Sequence, residues 1–291
     1  MHILYRILLF GFFSFSCFSQ TSDWEELELK SIHVLAGYNR IFDLSGISRV
    51  GHNYYVISDK EYHTWIYEIN LEKQSFQIID SVSLQYDQSA DIEAIDYCEQ
   101  FSWFFTNEKN NQAYISDLTG QSKLIFDFKQ LGDPLDWGTN KGLEGIAVDC
   151  TNKILYLAKE REPRFIISYD MTKKVITGIN LKDSLGDISD LKYESGFLYL
   201  LERNENLIAK VDVTTMEIVD KVSYKDTCSH PQGKLYAGTE YGMAEALLMT
   251  PDEIWMGLDN NGMYFSEFAT STFGLTGNRP VILRFKRPEG F

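Results

Sequence analysis

The sequence predicts an all-β chain folded as a β-propeller of five four-stranded antiparallel blades, and three observations lead there. A five-residue cassette recurs as Asp43-Leu44-Ser45-Gly46-Ile47, Asp91-Ile92-Glu93-Ala94-Ile95, Gly142-Leu143-Glu144-Gly145-Ile146, Asp187-Ile188-Ser189-Asp190-Leu191 and Met243-Ala244-Glu245-Ala246-Leu247. Beyond each cassette, at the end of a short apolar run, stands an acid: Asp59, Glu108, Glu160, Glu202 and Asp259. The intervening segments read as short strands divided by turn residues, with no convincing amphipathic helical period. Four strands per unit, repeated about every 50 residues, is the mark of a propeller blade.

Taken in order, residues 1–19 read as a secretory signal. Arg6 stands near the start, an apolar run covers 7–18, and small Ser19 precedes Gln20. The run is too short to span a bilayer. Its removal leaves residues 20–291 as one propeller domain, secreted or periplasmic, while Cys17 offers a second route to the membrane as a lipidated anchor. The third cassette positions lie 48, 51, 45 and 56 residues apart. In the second repeat the strands are expected near 92–97, 103–106, 113–117 and 122–128, and in the third near 146–149, 154–158, 165–169 and 175–181. The fifth repeat offers three strands of its own. Residues 28–35 supply a fourth, so that the N-terminal strand closes the ring and pairs edges that would otherwise lie open. A six-bladed count would take residues 232–239 as a remnant blade.

Within the cassette, the fourth position is small in four units (Gly46, Ala94, Gly145, Ala246), as expected where inner strands crowd an axis. The fifth is always Ile or Leu and should pack between blades. Three cysteines follow the signal, and Cys98 and Cys150 occupy equivalent turns of adjacent repeats. They can pair in an oxidising compartment, unless neighbouring blades hold their α-carbons too far apart.

The formal net charge is −15, and becomes −16 when the signal, with its single Arg6, is removed. Such a chain is repelled by nucleic acid and anionic lipid, and suits cationic or metal-bridged partners. An acidic surface also keeps an exported protein soluble. No Gly-x-Ser-x-Gly elbow is present, and the histidines fall outside the repeat columns, so nucleophilic catalysis has little support.

The third column, Ser45, Glu93, Glu144, Ser189 and Glu245, should gather at the channel mouth. Three carboxylates around one axis repel unless a cation sits among them or one keeps its proton. A calcium ion with six to eight oxygen ligands would resolve this, with Glu93, Glu144 and Glu245 as ligands and Asp190 supplying the acid that the fourth unit lacks at Ser189. Alternatively these residues cap strand starts and face a water-filled channel. The second acidic column shares that face. In the first four units Lys60, Lys109, Arg161 and Arg203 follow its acid directly, whereas Asn260 breaks the pattern in the fifth. Each acid can pair with a nearby base, at little gain in stability, or line a ligand cleft with Arg161, Arg164, Arg203, Tyr62, Trp65, Trp137 and Tyr241. The ligand set expected there is Ser45, Asp59, Glu108, Glu160, Arg161, Glu202, Arg203 and Asp259. His63, in the same loop region, reads as a surface residue.

At Asn140-Lys141-Gly142-Leu143-Glu144-Gly145-Ile146-Ala147 and Leu155-Tyr156-Leu157-Ala158-Lys159-Glu160-Arg161-Glu162-Pro163 the chain resembles the bacterial SdiA-regulated family. Asp187-Ile188-Ser189-Asp190-Leu191 and Ala244-Glu245-Ala246-Leu247 match its later motifs. The short cassettes also occur in lactonases, esterase-like phytases and NHL-repeat propellers. The resemblance implies a five-bladed, exported or membrane-attached propeller with a bound calcium ion and a role in calcium-mediated ligand binding. By position it makes Glu144 and Glu245 the leading calcium ligands, followed by Glu93. Ala94 and Ala246 stand where the family often has glycine.

The function expected is therefore that of an exported calcium-binding propeller holding a small molecule, glycan or protein at the channel mouth. The alternative is a metal-dependent hydrolase, lactonase-like or phosphoesterase-like.

Overall fold

The computed structural model describes residues 24–60, 62–86, 91–131, 142–161, 164–179, 185–230, 233–238 and 243–291. The signal region with Cys17, and also Trp137 and Tyr241, lie outside these. The described chain is all-β, arranged as a β-propeller in several antiparallel sheet units.

The strands alternate in the way the repeats require. Leu44–Val50, Asn53–Ser58, Trp65–Leu71 and Ser75–Ser83 form one antiparallel meander, and Ile92–Cys98, Ser102–Asn107, Gln112–Ser116 and Ser122–Asp127 the next. Two more follow: Leu143–Asp149, Ile154–Lys159, Ile166–Asp170 and Val175–Ile179, then Ile188–Glu194, Phe197–Glu202, Leu207–Asp212 and Glu217–Ser223. The last unit joins Ala244–Met249, Glu253–Leu258 and Val281–Lys286 to Leu29–Ala36, which pairs antiparallel with Val281–Lys286.

Residues from the N-terminal segment touch three units. Glu25–Glu26 runs parallel to Val222 and Ser223, and Val34, Leu35 and Ala36 run parallel to Ser75, Phe76 and Gln77. The last contact merges the final and first meanders into one continuous sheet. Inner strands pack side by side in chain order, and Ala244–Met249 also packs against Leu44–Val50.

Inner strands are covered on both faces and therefore read as apolar runs. Every residue of Leu143–Asp149 is buried. The fifth cassette residues Ile47, Ile95, Ile146, Leu191 and Leu247 are fully buried, as their position between units requires. The small fourth column has a steric cause: a Cβ on Gly145 would lie 2.5 Å from Leu191 Cδ2 and 3.1 Å from the Leu191 backbone nitrogen.

Of the segment weighed as a sixth blade, described residues 233–238 contribute a two-residue strand, Gly233–Lys234, paired with Ser229–His230. Two short helices, Lys225–Cys228 and Glu267–Phe273, depart from the helix-free expectation. The second is a capped single stretch: Ser266 accepts from the Ala269 amide, and Gly274 ends it in the left-handed region at φ 70°. Seven residues are too few to display an amphipathic period, which is why the pattern missed it.

Cys98 and Cys150 form a disulfide with α-carbons 5.7 Å apart. Neighbouring inner strands come closer than blade separation suggests, because each cysteine closes the turn at the end of its strand. Replacing both by serine should lower unfolding stability by about 2–4 kcal/mol. Urea titration of oxidised wild type against the double variant, and against the reduced protein, measures this; coincident curves would show that the link contributes nothing.

Candidate functional site

The ladder of every inner strand slips at the same place. Register shifts fall between Leu44 and Gly46, Ile92 and Ile95, Leu143 and Gly145, Ile188 and Asp190, and Ala244 and Ala246. In each case the third cassette residue is left out of the pairing, as in a β-bulge, which re-aims the freed side chain. The second column is brought to the same end by the backbone. Glu108 N donates to Asp91 O (3.0 Å), Glu160 N to Gly142 O (3.2 Å), Arg203 N to Asp187 O (3.2 Å) and Asp259 N to Met243 O (2.8 Å). Each bond ties the end of a second strand to the first residue of its own cassette, so both columns open on one face.

What a bulged residue does depends on its length. Ser45 Oγ donates to Ile92 O (3.0 Å) and Ser189 Oγ to Ala244 O (2.6 Å), each latching its unit to the next inner strand. Ser45, expected among ligand contacts, is thus a buried inter-unit tie. The glutamates reach further and meet other carboxylates.

Two groups of three acids have carboxylate oxygens within 4.8 Å of one another: Asp91, Glu93 and Glu108, and Glu108, Glu144 and Glu160. Glu108, placed by sequence in the ligand column, is common to both. Its Oε1 accepts from the Gly142 amide at 2.9 Å. A Cβ on Gly142 would lie 2.4 Å from Glu108 Cγ, so the carboxylate can approach only because this cassette begins with glycine.

Glu245 lies outside these two groups. Its carboxylate and that of Glu160 both pair with Arg203, and Arg161 Nη2 lies 2.8 Å from Glu160 Oε1. Arg203 is therefore a counter-charge shared by Glu245 and by Glu160, itself a member of the second acidic group. A third patch joins Lys60 Nζ to Asp43 Oδ2 (2.5 Å) and Asp59 Oδ2 (3.0 Å). Even so, Glu160 Oε2, Glu245 Oε2, Asp43 Oδ1 and Asp59 Oδ1 are buried without a hydrogen-bond partner among the described residues. Buried oxygens of this kind carry a cost of about 1–3 kcal/mol or more each unless a cation or donor meets them.

The electrostatics follow from crowding in a poorly solvated place. Burial, then Glu144, Asp59, Glu108 and Asp91, push the Glu93 carboxyl well above the usual range. Burial, then Glu245 and Glu108, do the same to Glu144, against the pull of Arg203 and Arg161. Asp91 is pushed up to about 6 by burial and the nearby Glu108 and Asp59. Asp259 is raised by burial and by Asp43 and Asp59, and its Oδ1 accepts from the Asn261 amide at 2.8 Å.

Two expected site residues serve the framework. Asp190, the anticipated fourth metal ligand, is fully buried and has both oxygens engaged. Oδ1 accepts from its neighbour Leu191 N (2.8 Å), Oδ2 from Leu247 N in the next unit (2.8 Å), and Lys192 Nζ lies at 3.2 and 3.1 Å from the two. The bulge at Ser189 returns residue 190 to the ladder, which removes it from the acidic groups. Glu202 caps a turn, accepting from Asn204 N (3.0 Å) and Glu205 N (2.7 Å), against Gly186, where a Cβ would lie 1.8 Å from Glu202 Oε1.

His63 is buried rather than on the surface. Its Nδ1 meets Tyr67 Oη (2.5 Å) and its Nε2 donates to Ile41 O (2.9 Å), which fixes the loop before the first cassette. Tyr62 is exposed, Trp65 partly buried against Tyr67, and Arg164 and Arg161 both approach Asp187. Asp91 and Asp43 were not singled out by sequence. The signal was the aspartate that opens three of the five cassettes.

Two solved structures are similar in fold. One is a chain of a nidogen/laminin complex, with 14% identity, TM-score 0.49 and coverage of 79% of this chain and 77% of that one. The other is the glutaminyl cyclase of Myxococcus xanthus, with 10% identity, TM-score 0.52 and coverage of 90% and 99%. The SdiA-regulated family model matches residues 43–230, which hold the first four cassettes and both acidic groups. The chain belongs to the SdiA-regulated family of β-propeller proteins.

Proposed function

We propose that this protein is an exported, calcium-binding propeller of five blades, closed by its N-terminal strand, that holds a small-molecule, glycan or protein ligand at the acidic mouth. The observation that carries the reading is the pair of carboxylate triads sharing Glu108. The donor set fits the ion: it is all oxygen, carries several negative charges, and leaves the buried Glu160 Oε2 without a donor. Asp91, Glu93, Glu108 and Glu144 would hold the metal, with Glu160 offering Oε2 while its Oε1 faces Arg161 and Arg203. Bound there, it would neutralise the acids and polarise an oxygen of a ligand. Glu245 falls to Arg203, and Asp190 to Lys192. The pairing of Leu29–Ala36 with Val281–Lys286, and the packing of the last inner strand on the first, support the ring. The Cys98–Cys150 disulfide suits an oxidising compartment.

A metal-dependent hydrolase is the second reading. Its support is that burial and neighbouring acids hold Glu93 and Glu144 toward the protonated form in a cluster of carboxylates, as a general acid requires. One structural neighbour is an enzyme, a glutaminyl cyclase. Turnover of lactones, aryl esters or phosphate monoesters by the calcium-loaded protein, lost in Glu144→Gln, would establish this reading over simple binding.

Calcium at about a hundredfold excess over Kd should raise unfolding stability by about 2.7 kcal/mol, and a chelator should reverse it. Glu108→Gln and Glu144→Gln should abolish the gain, whereas Glu245→Gln should keep most of it. Identical melting curves with calcium and with chelator would refute the metal site.

Acid should stabilise the metal-free protein. The native state keeps protons on Asp91 to about 6 and on Glu202 to about 7, with Glu93 and Glu144 also raised, whereas the unfolded chain releases them near 4. The folded state thus binds more protons between these values, and stability falls as pH rises through them. Melting temperature in chelator should drop between about pH 5 and pH 8, and calcium should flatten the part due to Asp91, Glu93 and Glu144. A metal-free melting temperature that climbs over this range would contradict the assigned protonation.

A further inference from the structure

Beside the acidic mouth, the seam between the last and first units carries a separate, partly open cavity of about 190 Å³ lined by Asn39, Arg40, Phe42, Asn260, Asn278 and Arg279, among others. Arg40 and Arg279 both line it, and among the described residues neither forms an ion pair with a carboxylate. In a chain of net charge −15 whose Arg161 and Arg203 are engaged by acids, the exposed Arg40 and the half-buried Arg279 bring two positive charges to one small cavity.

Both walls are fixed. On one, Phe42 is buried among Tyr38, His63 and Tyr67, and the Ile41 carbonyl accepts from His63 Nε2 (2.9 Å) and Tyr62 Oη (3.0 Å), so the loop carrying Arg40 is held at the neighbouring residue. On the other, the buried Asn260 side chain donates through Nδ2 to Met263 O (3.1 Å) and Asn278 O (2.8 Å), pinning the loop beside Arg279. Arg279 Nη1 donates to Arg40 O (3.3 Å) and joins the walls. Asn260, which stands where the other four units have a base after the second-column acid, is thus part of a wall.

We propose that this cavity is a subsite for a small oxyanion, the phosphate, sulfate or carboxylate group of a ligand. Guanidinium groups match such oxygens with paired, charge-assisted donors, and preorganised walls reduce the ordering cost. The cavity is smaller than a drug-sized pocket of roughly 300 Å³ or more, which fits a head group rather than a whole ligand. The proposal does not depend on metal at the carboxylate triads.

The test is titration calorimetry of the full mature chain with inorganic phosphate, sulfate and acetate at constant ionic strength, in chelator. Saturable one-to-one binding of at least one anion is expected, weakened about tenfold or more in Arg40→Gln and in Arg279→Gln. Both residues lie on loops, and unchanged melting temperatures would show that these variants fold. Glu144→Gln should bind the anion as wild type does, whether or not calcium binding survives. The order of the three anions identifies the head group. Absence of saturable binding, or binding lost in Arg161→Gln and Arg203→Gln but kept in Arg40→Gln and Arg279→Gln, would overturn the assignment.

Discussion

The bulge at the third cassette position is the feature on which the rest of the mouth depends. A regular strand would alternate its side chains between the two faces of its unit, and a residue in that ladder would be committed to packing. Skipping one residue frees it, and the freed residue meets the end of the second strand, which a backbone hydrogen bond draws to the same edge. With serine there, the slack becomes a tie to the next inner strand. Glutamate there reaches past the ladder into the space where neighbouring units contribute acids of their own. One backbone irregularity thus serves both the cohesion of the ring and the chemistry of its mouth.

Charge then divides the mouth into unlike parts. Arg203 holds Glu160 and Glu245, Lys60 holds Asp43 and Asp59, and Glu160 links the arginine side to the acids grouped around Glu108. Repulsion among buried carboxylates is relieved by protons or by a cation, and these compete for the same oxygens. Away from these acids, Lys192 satisfies Asp190 and donates to Ile95 O at 2.9 Å, tying a fourth-unit strand to a second-unit strand. Asp190 is expensive to bury alone and is tolerated because every oxygen has a partner.

Much of the fold was legible in the chain. Apolar runs of strand length, turn residues at regular intervals and a repeated cassette gave the strands of the second and third units to within a few residues, and the pairing of the N-terminal segment with 281–286 followed from counting edges. The columns of small and branched residues were legible too, because crowding at an axis acts on every unit alike. The acids were legible only as a set of candidates. Spacing placed Glu93 and Glu144 in one column and Glu108 and Glu160 in the other, without showing that they group together; Asp91 was not singled out, and Asp190 is engaged by Lys192 and two backbone amides.

Those misses share a cause. Periodicity records what each unit demands of itself, so the sequence by itself determined the repeating strands, the inner-strand packing and the face on which acids collect. Which acid meets which is a matter between units, set by a bulge that takes Glu144 out of the ladder and another that returns Asp190 to it, by a glycine at 142 that admits Glu108, and by the reach of Arg203 across a seam. Distances across units are fixed only when the units pack together, and Coulomb and hydrogen-bond energies depend on these separations, which residue spacing does not encode. The tertiary structure therefore decided the partition of the carboxylates, the burial of His63 and the meeting of Arg40 with Arg279.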